Sequence, residues 1–109
     1  MVITGSNDTS RTGKPYTWRM EVFENLPPAD KYLAFIEDAH HSFGGVSGAR
    51  YQGSGPQNAD HVYYVKTSTL AFWDAYLKGD EAATAFLNSD KLKTVTNGAA
   101  YIRNKSAER

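Results

Sequence analysis

Apolar positions in this chain follow two rhythms. Val2-Ile3-Thr4 is a short β-branched run that ends in Gly5-Ser6-Asn7-Asp8-Thr9-Ser10, a strand end followed by a turn-rich loop. Tyr32-Leu33-Ala34-Phe35-Ile36 is an unbroken apolar run, which predicts a buried strand. Between them Trp18, Val22 and Phe23 fall at helical spacing and predict a short helix over 18–25, stopped by Pro27-Pro28. A glycine- and serine-rich stretch, GGVSGARYQGSGPQNAD, predicts a long loop over 44–60. From His61 to Lys78 the period changes. Val62, Val65, Thr69, Phe72, Trp73, Tyr76 and Leu77 recur at three and four, giving an amphipathic helix with Asp60 as its N-cap and Gly79 beyond its end. Asp80 caps a second short helix, 81–87, whose apolar pair is Phe86 and Leu87. Residues 91–109 are weakly patterned. There Ala99-Ala100-Tyr101-Ile102 is expected to pack and the last residues to fray.

The order strand, helix, strand, loop, helix is the βαβα rhythm of a parallel sheet, and the interval from Asp8 to Lys31 is ample for a crossover. Two strands are too few for a stable parallel sheet. The opening run reads as the tail of a strand, so the pattern predicts part of an α/β domain rather than a whole one.

Polar residues crowd at both strand ends. Asp8 follows the first strand, and Glu37-Asp38-Ala39-His40-His41-Ser42 follows the second. Ligands and catalytic groups gather at the carboxyl ends of strands in open α/β sheets, so parallel neighbours would put Asp8 and a histidine on one edge. A carboxylate bonded to one ring nitrogen fixes the tautomer and leaves the other nitrogen free to take a proton. The plainer alternative is that Asp8 only closes a turn. A metal site from His40, His41 and His61 with Asp38 or Asp60 has suitable ligand types, but adjacent histidines in an extended segment point to opposite sides. His61 is expected as an exposed first-turn residue. Phe72, Trp73 and Tyr76 are expected to pack on the sheet rather than to form a ligand platform. Trp18 and Arg19 border the region between acid and histidine, as substrate contacts or as a solvent-side helix face.

Composition narrows the classes. The chain has 109 residues, the length of one domain or part of one, and a formal net charge of zero, which argues against nucleic acid or an anionic membrane as partner. It has no cysteine, so disulfides and thiolate catalysis are excluded. No window approaches the ~20 apolar residues of a membrane span, and the first residues lack the pattern of a signal peptide.

MVITGSNDTS and DKYLAFIEDAHHSFGG together resemble the C-terminal end of an α/β-hydrolase of the dienelactone hydrolase or acetylhydrolase-like branch. The likeness is carried by Gly5-Ser6-Asn7-Asp8 after a strand, by Leu26-Pro27-Pro28-Ala29-Asp30-Lys31-Tyr32-Leu33 leading into the last strand, by His40-His41-Ser42-Phe43, and by the closing helix over 71–87. The resemblance implies the last two parallel strands, crossover and closing helices of that fold, spanning 1–109. It implies Asp8 as triad acid and the loop histidine as triad base, with no cofactor or metal. Counting back from Phe43 selects His40; counting forward from Asp30 selects His41 as the alternative. His40 is preferred, because the aromatic should keep its spacing to the base.

The resemblance further implies a small-molecule ester substrate. Relatives of this type are often exported, and a leader would lie in the absent part. The nucleophile's Gly-x-Ser-x-Gly turn precedes the acid in that family, and nothing here matches it. Gly45-Val46-Ser47-Gly48-Ala49 and Gly53-Ser54-Gly55 imitate it imperfectly and come after the histidines. The chain alone is therefore expected to be inactive. A second reading is a small binding module that uses the glycine-rich loop and the aromatic helix.

Overall fold

A computed structural model describes residues 1–48 and 54–105. The middle of the glycine-rich loop, including Ala49 and Gly53, and the tail expected to fray beyond 105 lie outside the described residues. The elements run β1 (Val2–Gly5), α1 (Tyr16–Asn25), β2 (Lys31–Ile36), α2 (Ala59–Leu77), α3 (Glu81–Leu87), α4 (Lys91–Val95) and β3 (Ala100–Lys105). They make an α/β arrangement with a mixed sheet in the order β1-β2-β3. β1 and β2 are parallel, with Val2 opposite Leu33 and Gly5 opposite Ile36. β3 runs antiparallel to β2, with Ala100 opposite Ile36 and Lys105 opposite Lys31.

β2 is the axis of the core, and its apolar run is explained by burial on both faces. Tyr32, Ala34 and Ile36 join Ala39, Leu87, Leu92, Ala100 and Ile102 in one buried cluster, against which Val65, Phe72 and Ala75 of α2 pack. Leu33 and Phe35 alternate to the other face. There Phe35 meets Tyr16 of α1 at 5.5 Å and stacks on Tyr101 at 5.2 Å. Each such fully buried side chain contributes about 1.5–3 kcal/mol relative to exposure. α1 is anchored by Phe23, which is 1 % exposed. Arg103 and Lys105 of β3 lie over the Phe23 ring, and the Lys105 ammonium donates to the carbonyls of Glu24 and Leu26 at 2.7 Å each. These are carbonyls at the end of α1 that lack intrahelical partners, where positive charge is favoured.

The start and face of α2 differ from the sequence expectation. Its N-cap is Asn58, whose side-chain oxygen accepts from the Asp60 and His61 amides, so Asp60 lies inside the first turn. Phe72 packs inward and Tyr76 sets its ring and hydroxyl against Tyr32 of β2, whereas Trp73 and Leu77 stay largely exposed. The helix ends as expected. Gly79 takes φ +67°, and the Asp80 amide reaches back to the Asp74 carbonyl, a closure that favours glycine. Among the described residues, no helix is long and apolar enough to cross a membrane.

Candidate functional site

The site is built where β1 and β2 leave the sheet side by side. Gly5 makes that closeness available. A Cβ at this position would stand 2.4 Å from the Ile36 carbonyl oxygen and 2.5 Å from the Ala39 Cβ. Only a residue without a side chain lets the β1 exit lie against the β2 exit. The contact is fastened by the Asn7 amide donating to the Ala39 carbonyl at 3.0 Å and by Asn7 Nδ2 donating to the Asp38 carbonyl at 3.1 Å. The Asp8 amide donates to the Gly5 carbonyl at 3.0 Å, so Asp8 does close a turn. That turn aims its carboxylate inward.

Asp8 is 1 % exposed, and its two oxygens are fully engaged. Oδ2 accepts from the Thr4 hydroxyl at 2.9 Å. Oδ1 lies 2.9 Å from His41 Nδ1 and 3.0 Å from Arg19 Nε. Arg19 Nε also donates to the Asp8 backbone carbonyl at 3.1 Å. A buried carboxylate costs free energy unless it is paired and hydrogen-bonded, and this one is both.

The imidazole beside Asp8 therefore belongs to His41, and the preference for His40 is corrected on geometry. After Ile36 the chain turns at Glu37-Asp38, with Asp38 at φ +65°, and inserts Ala39 beneath Gly5. The next two side chains diverge. His40 turns to the loop and packs on Gly55, where an added Cβ would stand 2.4 Å from the His40 Cγ. His41 turns to Asp8 and keeps its side chain 55 % exposed. Spacing to Phe43 was a poor guide, because Phe43 sits at φ +49°, a conformation rare for a bulky residue. Backbone outliers on both sides of a histidine pair are the kind of strain that gathers at functional sites.

Beside the pair runs an open groove of about 470 Å³, walled by Val2, Trp18, Val22 and His41 with Asp8 and Arg19 at its base. Trp18 is 45 % exposed along it. Thr4 and Arg19 are members of the site that sequence reading did not assign to Asp8. Thr4 is four residues before Asp8 in the same strand-to-turn unit, which is the only local signal; Arg19 is reached through the fold alone.

The other candidates are not drawn in. Ser42 is buried and donates to the Ser54 carbonyl, which ties the turn after β2 to the segment that precedes α2. Ser47 lies in consecutive turns with no strand leading into them. His61 opens α2 with its ring 6.4 Å from Tyr64. Its pKa is lowered, chiefly by desolvation, with Asp38 and Asp60 opposing and His40 adding to the shift. Among the described residues, no group of three or more histidine, aspartate or glutamate side chains could hold a metal ion. Comparison with family models, with curated proteins and with solved structures finds no match to this chain.

Proposed function

We propose that this chain is the C-terminal portion of an α/β-hydrolase-type domain. In this reading it is of the dienelactone hydrolase or acetylhydrolase-like branch, and it supplies the acid and base of a serine hydrolase acting on carboxylic esters or similar acyl bonds. The observation that supports this reading is the hydrogen bond from His41 to a buried Asp8 across the carboxyl ends of neighbouring parallel strands. Asp8 is the acid. His41 is the base, since it is the histidine bonded to the acid.

The chemistry follows from that bond. Nδ1–H donates to Asp8, which fixes the tautomer and leaves Nε2 as a proton acceptor. Nε2 takes the proton of a serine hydroxyl as the serine oxygen attacks the ester carbonyl. The imidazolium, stabilised by Asp8, then gives that proton to the departing alkoxide. Water repeats the sequence on the acyl-enzyme and releases the acid. No Gly-x-Ser-x-Gly stands in the 109 residues. In this reading the serine and the oxyanion donors come from a segment outside them.

The test has two arms. The DNA upstream of the Met1 codon is expected to continue in frame and to encode Gly-x-Ser-x-Gly after an apolar run. In the protein so completed, His41→Ala is expected to lower kcat on p-nitrophenyl acetate by about 10⁴-fold, while His40→Ala stays within a few-fold of the parent. The chain alone is expected to be no faster than free imidazole. A chain that is active alone, or a His41→Ala variant that keeps full turnover, overturns the proposal.

A further inference from the structure

We infer that Arg19 is a positioning residue for the Asp8–His41 pair and that it acts through its Nε–H. The inference rests on reading that pair as acid and base, and it adds a member that the pair does not need by chemistry alone. A carboxylate held only by an imidazole is poorly fixed, because the torsion that orients it is broad and two-fold. In this protein two further donors fix its plane from different elements. Thr4, in β1, holds Oδ2 at 2.9 Å. Arg19, in α1, holds Oδ1 at 3.0 Å, the same oxygen that His41 uses at 2.9 Å. The same Nε–H also reaches the Asp8 backbone carbonyl at 3.1 Å. One donor thus fixes both the main chain and the side chain of the acid.

Burial makes the contact consequential. Asp8 is 1 % exposed, and the Arg19 side chain is 26 % exposed, so water competes weakly for the shared hydrogen bond. The guanidinium is steadied in turn by the Trp18 ring, whose centroid lies 5.9 Å from the Arg19 Cζ. Arg19 takes no proton in the proposed reaction. Its role is to keep Asp8 Oδ1 where the His41 Nδ1–H needs it.

Side-chain geometry supplies the test. Glutamine carries an amide nitrogen at the same number of bonds from Cα as the arginine Nε, without the charge. Methionine has a methyl group there, and lysine a methylene with its charge one atom beyond. The full chain, labelled with ¹⁵N, is examined at alkaline pH by long-range histidine NMR. The parent is expected to show His41 as the Nδ1–H tautomer with a slowly exchanging Nδ1 proton. In Arg19→Met the exchange of that proton is expected to quicken by roughly tenfold or more, as expected for loss of a charge-assisted bond. Arg19→Gln is expected to restore most of the protection. The His40 and His61 signals should not move, which separates a local effect from unfolding.

An Arg19→Met spectrum identical to the parent's overturns the role of Arg19 and leaves the acid–base pair standing. A parent His41 in the Nε2–H form overturns the pair, and this inference with it. Should Arg19→Met not fold, Arg19→Gln and Arg19→Lys decide the matter. Protection in Gln and loss in Lys support the Nε–H, and the reverse order overturns it.

Discussion

Asp8 and Asp30 each begin a chain of side-chain hydrogen bonds, and the two chains run in opposite directions through the protein. From Asp8 the anion is buried and the last member, His41, is exposed. From Asp30 the anion is exposed and the chain runs inward. Tyr76 donates to Asp30 Oδ1 at 2.7 Å, the Tyr76 and Tyr32 hydroxyls are 2.9 Å apart, and Asn88 donates to Tyr32 at 3.3 Å. Tyr32 is 4 % exposed. The Tyr76 hydroxyl is pushed well up from its ordinary pKa, first by desolvation and then by its bonds to Tyr32 and Asp30. It stays protonated and simply ties β2 to α2 and α3. The Asp8 network instead presents a titratable ring to a groove. Where the anion lies decides what such a network does. Here the buried anion holds an exposed imidazole in place, and the exposed one holds helices to the sheet.

The sharpest way to break this contrast is to delete each carboxylate in turn. Asp8→Ala leaves Arg19, Thr4 and His41 without their common acceptor and is expected to cost about 3 kcal/mol in urea unfolding, as for the loss of one partner from a buried pair. Asp30→Ala removes an exposed partner and is expected to cost less than about 1 kcal/mol. Equal costs would mean that the two networks do the same work.

The alkaline limb distinguishes them next. Because the folded Tyr76 holds its proton more tightly than the unfolded chain does, its contribution is fully present below pH ~10 and is lost as pH rises beyond that. Thermal melts of the parent are expected to fall with pH there, and Tyr76→Phe should flatten the fall. The smallest effect is on the acid side. The lowered pKa of His61 means that its contribution is present above pH ~6.5 and is lost as pH falls through the folded value. His61→Gln is expected to shallow the acid limb of the melting curve. If the limb does not change, His61 is not a source of the acid loss.

Much of this was legible in the chain. Tyr32-Leu33-Ala34-Phe35-Ile36 announces a buried strand, because both of its faces are covered. Asp80 and Gly79 announce a cap and a stop, because their chemistry is local. β3 is legible only as a packing segment: Ala100 and Ile102 are buried and Tyr101 stacks on Phe35 as expected, but Arg103 and Lys105 turn their charges to α1 and hide the strand period. α4 is a single short turn with one buried residue, Leu92, too brief to show a period. The packing face of α2 is legible at Val65, Phe72 and Tyr76 but not at Trp73 and Leu77, because the face turns toward the small residues Ser68, Ala71 and Ala75. At the site, Asp8 and a histidine were legible from the ends of two strands. Which histidine was not, since that depends on Ala39 seating under Gly5 and on the left-handed turns at Asp38 and Phe43.

The grip of β3 on α1 has a mechanical side. Lys105 and Arg103 clasp the tail of the helix whose earlier turn carries Arg19, while β3 itself forms an outer edge of the sheet. One helix thus serves two strands: its first turn bears the Arg19 that holds Asp8 after β1, and its last turn is held by β3 on the far side of β2.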